Sequence, residues 1–152
     1  MGAVEAATAI VEKVLADHPE VAARRLDATH WALHLAGQVR LAIPVAVAVA
    51  PHTTTLTSFF LRGPRPPRGR PAELHQRLLR RNAATRRVHF ALDRDDDVLL
   101  VSRHPTAGLT YEELDQTLAE ILTVSESAFE ALVHLAYPGV FTPLSQLRPP
   151  AP

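Results

Sequence analysis

Twelve consecutive residues, Val39–Ala50, alternate without a fault between two kinds of side chain. Val39, Leu41, Ile43, Val45, Val47 and Val49 fall on one side, and Arg40, Ala42, Pro44, Ala46, Ala48 and Ala50 on the other. A period of two is the signature of a strand with one face buried, and it obliges the chain to build a sheet with a cover for that face. Pro44 has no N–H to give to a ladder, so it predicts an edge position or a bulge within this strand. The same period governs the residues before it. Trp31, Leu33 and Leu35 alternate with His30, Ala32 and His34, and Gly37-Gln38 supplies the turn between the two strands. Pro51-His52 ends the long run, and Thr54–Leu61 predicts a third strand.

Elsewhere the period is helical. Ala7, Ile10, Val11, Val14 and Leu15 share one face of a helix over Val4–Asp17, which Pro19 terminates. Pro71 fits a first helical turn, and the helix it opens runs to about Asn82, burying Leu74, Leu78 and Leu79. Two further strands, Arg87–Asp93 and Val98–Arg103, flank a tight turn at Asp95-Asp96-Asp97. Thr110-x-x-Glu113 is a capping box, with Leu109 and Leu114 placed for the hydrophobic staple of a last helix reaching Tyr137. A second box, Thr123-x-x-Glu126, allows a break in that helix. The order α-β-β-β-α-β-β-α, with short links between strands, predicts an α+β domain on an antiparallel sheet of about five strands.

At 152 residues the chain is long enough for one domain. We place the domain at residues 1–137 and a Pro-rich, disordered tail at 138–152. The stretch Arg62–Arg70 (R-G-P-R-P-P-R-G-R) reads as a mobile connection, dispensable for folding. With no cysteine there is neither a disulfide scaffold nor a thiolate metal site. Sixteen basic and sixteen acidic residues balance, so no whole-molecule field drives the chain onto nucleic acid or an anionic membrane. Met1–Ala7 lacks the basic start of a secretory signal. Leu41–Leu61, the longest uncharged run, is broken by Pro44, Pro51 and His52, so it does not span a membrane. These features predict a cytoplasmic protein.

Three motifs go further: L-L-R-R-N at 78–82, F-A-L-D-R-D-D-D-V-L-L at 90–100, and G-L-T-Y-E-E-L-D at 108–115. Together, at this spacing, they resemble the YbjN family, whose domains are similar in fold to type III secretion chaperones. The close resemblance runs from Leu78 to Leu122. Asp96 stands where relatives commonly have Gly in the acidic turn, and Asp is among the residues that tolerate positive φ. The resemblance implies a polypeptide-binding module, often a homodimer, with no catalytic chemistry, no metal and no cofactor.

Motifs for chemistry do not emerge. There is no P-loop, G-x-G-x-x-G, G-x-S-x-G or H-E-x-x-H, so we expect no enzyme. His30 and His34, four apart on a strand, lie too far apart to share a metal ion without a kink. The run from Asp93 lacks the Gly and Glu of a calcium loop, since Val98 and His104 occupy those positions.

Charge is segregated along the chain. Residues 62–87 hold nine Arg and one Glu, and residues 93–130 hold ten acids and two Arg. Arg77, Arg80 and Arg81 share a face of the middle helix. No aromatic residues interleave with them for base stacking and the nearby acidic block would repel phosphate, so we expect solvated surface, or pairing with acidic polypeptide, rather than nucleic acid. The strand patterns are apolar on both sides. Phe60 and Leu56 oppose Phe59 and Leu61, while Val98 and Leu100 oppose Leu99 and Val101. A second apolar face needs its own cover, either the middle helix, a second subunit or a bound client. Phe59, Phe60, Leu61, Arg77, Arg80, Arg81, Leu99 and Val101 are therefore the candidate partner or dimer surface. Which Phe faces outward stays open. The expected function is a non-enzymatic chaperone or adaptor for an extended or partly unfolded polypeptide. The alternative is a regulatory module touching nucleic acid through 62–87.

Overall fold

The computed structural model describes residues 1–64 and 71–139. Three helices and six strands follow one another as α1 (Ala3–Asp17), β1 (Ala22–Arg25), β2 (His30–Leu35), β3 (Ile43–Val49), β4 (Thr53–Leu61), α2 (Pro71–Asn82), β5 (His89–Leu92), β6 (Val98–Pro105) and α3 (Tyr111–Ala136). The strands form one antiparallel sheet in the order β1-β2-β3-β4-β6-β5. This is the α+β class that the hydrophobic periods imply, with one strand more than expected. β1, Ala-Ala-Arg-Arg, is exposed along its whole length, so no apolar alternation marks it. Its ladder to β2 alone makes it a strand.

All three helices feed one core. Ala7, Val11 and Val14 of α1, Leu74 and Leu78 of α2, and Leu114, Ile121, Ala128 and Leu132 of α3 join Trp31, Leu33, Ile43, Val45, Val47, Leu56 and Phe60 in a single cluster. The middle helix does not cross to the far side of the sheet. Its Leu74 and Leu78 enter this same core beside Val88 and Phe90, and Leu79 turns away from it, 71% exposed.

Four local readings change. The strand expected from Val39 begins only at Ile43, and Leu41 is 74% exposed. Residues 38–40 are instead drawn around the Glu126 carboxylate, which accepts the backbone N–H groups of Gln38 (3.0 Å), Val39 (2.8 Å) and Arg40 (3.0 Å). Gly37 must approach so closely that a Cβ would run into that carboxylate. Pro44 lies inside the sheet rather than at its edge. β3–β4 pairing starts at Ala46, so the missing N–H falls past the end of that ladder. Helix α3 runs unbroken through Thr123, whose hydroxyl donates back to the Ala119 carbonyl instead of capping a new start.

The fourth change concerns the connection after β4. Gly63 and Pro64 are buried. The Gly63 N–H donates to Asp97 Oδ1 at 2.9 Å, and the Tyr137 hydroxyl donates to the Arg62 carbonyl at 2.6 Å. The start of the Arg-rich stretch is thus tied into the fold and is not a free linker. Residues 65–70 and the tail from 140 lie outside the described residues.

The Thr110 capping box forms as its sequence implies. Thr110 Oγ1 accepts from Glu113 N at 3.1 Å, and Glu113 Oε2 accepts from Thr110 N at 3.0 Å. Asp96 adopts φ 61°, the left-handed conformation that a Gly would otherwise supply. Asp93 Oδ1 holds the turn by accepting from Asp95 N and Asp97 N.

Candidate partner-binding surfaces

Strand pairing fixes what the helix-free face of the sheet displays. One row across it reads Arg24, Ala32, Ala46, Thr57, Val101, His89, each residue opposite the next. A neighbouring row places Pro44 of β3 on the side of Phe59, which pairs with Leu99. Among the described residues no helix lies over this face. Phe59 stands on it 43% exposed, and a shallow depression of about 300 Å³ opens beside the ring, floored by Ala32, Pro44, Ala46 and Leu99. The small Ala side chains of β2 and β3 leave that hollow.

The eight residues singled out from sequence fall into three groups. Phe59, Leu99 and Val101 share the helix-free face, with Val101 buried between its cross-strand partners Thr57 and His89. Phe60 and Leu61 belong to the core instead. Phe60, 1% exposed, meets Phe90 and Phe129 edge-on at 5.1 and 5.7 Å. Simple alternation would put Leu61 beside Phe59. The ladder slips by one residue between Phe59 and Leu61, however, so Leu61 pairs with Val98 on the core side. Arg77 and Arg80 are exposed on α2 and Arg81 is half-buried, away from the Phe59 row.

A second hollow lies where α2 meets the sheet edge. Leu78, Leu79, Asn82, Phe90 and Leu92 line a cavity of about 200 Å³. Leu79 and Leu92 are both exposed on its rim. Asn82 anchors the edge strand by exchanging hydrogen bonds with the Phe90 backbone, donating at 3.0 Å and accepting at 2.7 Å. Leu79 was expected in the core, and its apolar character alone gave no sign that it would stay out.

The polar clusters tie the fold together. His104 Nε2 contacts Ser102 Oγ at 2.9 Å and Thr117 Oγ1 at 3.0 Å. Both hydroxyls are buried, and the His104–Thr117 contact joins β6 to α3. Burial pushes the His104 imidazole below its ordinary pKa, against the pull of Glu113. His18 bridges Glu20 (3.0 Å) and Asp115 (2.9 Å), which joins the end of α1 to α3. The hydrogen bond to Glu20 leads in raising its pKa, with Asp115 adding to it. No group of three or more metal-ligating side chains occurs among the described residues. No helix among them is long and apolar enough to cross a membrane.

Residues 42–134 match the model of the YbjN family, described as "Putative bacterial sensory transduction regulator". An uncharacterized protein of Mycobacterium tuberculosis is 30% identical over 105 residues, covering 69% of this chain and 56% of that protein. One from Mycobacterium leprae is 28% identical over 109 residues, covering 69% and 55%. The chain thus spans a little over half the length of these relatives. Among solved structures, the ExsC–ExsE complex matches with a TM-score of 0.60 at 16% identity, covering 91% of this chain and 99% of that one. YbjN from E. coli matches with a TM-score of 0.53 at 19% identity, covering 82% and 90%. The Yersinia pestis type III secretion chaperone SycH, in complex with a fragment of YscM2, gives 0.51 at 17% identity, covering 80% and 98%. These structures share the fold, and the sequence match over most of the sheet and both later helices fixes the family: the chain belongs to the YbjN family.

Proposed function

We propose that this domain is a non-enzymatic polypeptide-binding module, a chaperone or adaptor that holds an extended or partly unfolded protein segment in the cytoplasm. The observation that carries this reading is the uncovered sheet face with Phe59 at the edge of an apolar hollow. A face of that kind is stabilised by a visiting side chain, which removes apolar area from water at about 25 cal/mol per Å². Two of the proteins that share the fold are solved with protein partners, ExsC with ExsE and SycH with YscM2, which supports the same class of ligand here. The α2–β5 hollow, rimmed by Leu79 and Leu92, is the natural seat for a second copy, making the working form a homodimer.

The exposed Arg77 and Arg80 favour a second reading, a regulatory module that contacts nucleic acid through segment 62–87. Salt separates the two, because phosphate contacts weaken steeply with added salt and apolar burial does not. Selecting a random displayed peptide library on the immobilised protein tests the first reading. Enrichment of peptides whose affinity changes little between low and high salt supports it. Absence of enrichment over bare matrix, with salt-sensitive binding of an oligonucleotide, overturns it.

A further inference from the structure

His18, the residue that caps the end of α1, has a carboxylate on each ring nitrogen. Nδ1 stands 3.0 Å from Glu20 Oε1, and Nε2 stands 2.9 Å from Asp115 Oδ1. An ionised carboxylate only accepts, and a neutral imidazole carries a single N–H. Both contacts are therefore hydrogen bonds only in the imidazolium form, and in the neutral form one bare nitrogen faces a carboxylate oxygen. The bridge spans the rim of a hollow of about 180 Å³ between α3 and the turn into β1, lined below by Val21, Leu35, Leu118 and Leu122. From β2 only Leu35 reaches this hollow. Two other ties flank it. The Tyr111 hydroxyl donates to Asp17 Oδ2 at 2.9 Å, with Lys13 over the Tyr111 ring and Glu112 acting on the same phenol. At the far end of β1, Arg25 pairs with Glu12 at 3.1 Å and donates to the Asp27 and Ala28 carbonyls. Neither tie contains an imidazole, the side chain whose charge ordinarily changes near neutrality.

From this geometry we infer that His18 is a proton-operated latch: as imidazolium it clamps the α1–β1 connection to α3 over the hollow, and as neutral imidazole it releases Asp115 and the hollow opens. The neutral ring keeps Glu20, because that partner lies two residues away in the chain and costs little chain entropy to hold. Its single N–H then sits on Nδ1, and the bare Nε2 repels the Asp115 oxygen across the gap to α3. The titration falls in a useful range. The Glu20 hydrogen bond leads in raising the His18 pKa above its ordinary 6.5, burial works against it, and Asp115 adds to the rise. A raised folded-state pKa gives stability that is complete below 6.5 and lost as pH climbs through the raised value. The latch is thus shut in mild acid and open in mild base. The Tyr111–Asp17 and Arg25–Glu12 ties hold the end of α1 and the end of β1 throughout, so the movement is confined to the connection from His18 to Val21.

The test is an NMR titration of the full chain from about pH 5.5 to about pH 8.5, following the His18 ring protons and the methyl groups of Val21, Leu35, Leu118 and Leu122. The ring should titrate with a midpoint above 6.5. The methyl signals should move with that same midpoint, while the Arg25 amide stays still. His18→Gln identifies the ring signal and takes away the proton, so the methyl signals should lose their pH dependence. Asp115→Ala leaves a titrating ring with nothing on α3 to release. Its midpoint should fall, and its methyl signals should no longer follow the ring. Unaltered Trp31 fluorescence shows that each variant keeps the fold, and the wild-type titration needs no variant at all. A ring midpoint at or below 6.5 overturns the inference, as do methyl signals that ignore the ring in the wild type or still titrate in His18→Gln. Methyl shifts that still track the ring in Asp115→Ala report its charge alone and overturn the latch. Movement of the Arg25 amide with the same midpoint overturns the confinement to His18–Val21.

Discussion

The Arg40 guanidinium donates to the Phe59 carbonyl at 3.1 Å, at the point where the β4–β6 ladder slips. A bulge leaves a carbonyl without its ladder partner, and Arg40 takes that place. The same guanidinium lies over the rings of Phe60 (5.2 Å) and Phe129 (4.9 Å), so one side chain joins the β2–β3 loop, the bulge and α3. Its position also sets how Phe59 is offered on the far side of the sheet. Arg40→Ala should cost about 2–4 kcal/mol, from a charge-assisted hydrogen bond and two cation–π contacts. Arg40→Lys should recover less than half, because an ammonium cannot present a planar fork to carbonyl and rings together. Urea unfolding measures both, and a Lys variant as stable as wild type would show that charge alone suffices.

Glu126 holds the other side of that loop. Burial pushes its carboxyl up, but the N–H groups of Val39, Arg40 and Gln38, with the Arg40 charge, outweigh this and hold it below its ordinary 4.5. A depressed folded-state pKa gives stability that is present above the unfolded value and lost as pH falls through the folded one. Glu126→Gln should therefore cost about 1–2 kcal/mol at neutral pH. The gap to wild type should close as the pH drops below 4.5. Melting curves across that range check this, and a constant gap would remove the carboxylate's charge from the explanation.

What sequence could and could not reveal follows from these two residues. The alternation that sets Ile43, Val45, Val47 and Val49 inward also places Phe59 and Phe60 on opposite faces, because both depend only on the two-residue period. The period says nothing about where a ladder slips, so Leu61 was expected beside Phe59 and is found with Val98. It likewise continues through Val39 and Leu41, where a contact from Glu126, 87 residues away from Val39, overrides it. β1 carries no apolar pattern to read. Only the register shows which residues share the helix-free face with Phe59.

Ser58 faces the core between Leu56 and Phe60, and its hydroxyl is buried with no hydrogen-bond partner among the described residues. An unmade hydrogen bond in an apolar setting costs about 1–3 kcal/mol. Ser58→Ala keeps the methylene, removes the orphan oxygen, and should raise stability by up to about 1 kcal/mol. Phe60→Ala on the same face should lose about 3–5 kcal/mol through the cavity it leaves, and Phe59→Ala under about 1 kcal/mol. A clear loss on Ser58→Ala, read by chemical denaturation, would mean that the hydroxyl is satisfied after all.

The short strap Arg62–Pro64 gives the last prediction, since it connects the bulged end of β4 to both the acidic turn and the end of α3. Gly63 sits so close to the turn that a Cβ would run into the Asp96 carbonyl, and its N–H is held by Asp97. Tyr137 reaches across from the α3 C-terminus to the Arg62 carbonyl. The contact is one between backbone and backbone, which a rotamer change cannot relieve, so the added methyl must push the strap or the turn aside. Gly63→Ala should then cost about 1–3 kcal/mol as an overpacking change, and Tyr137→Phe about 1 kcal/mol for the lost hydrogen bond. Because both act on one strap, the double variant should cost less than the two together. Full additivity in urea unfolding would show that turn and helix hold the strap independently. A neutral Gly63→Ala would show that the strap is not seated against Asp96.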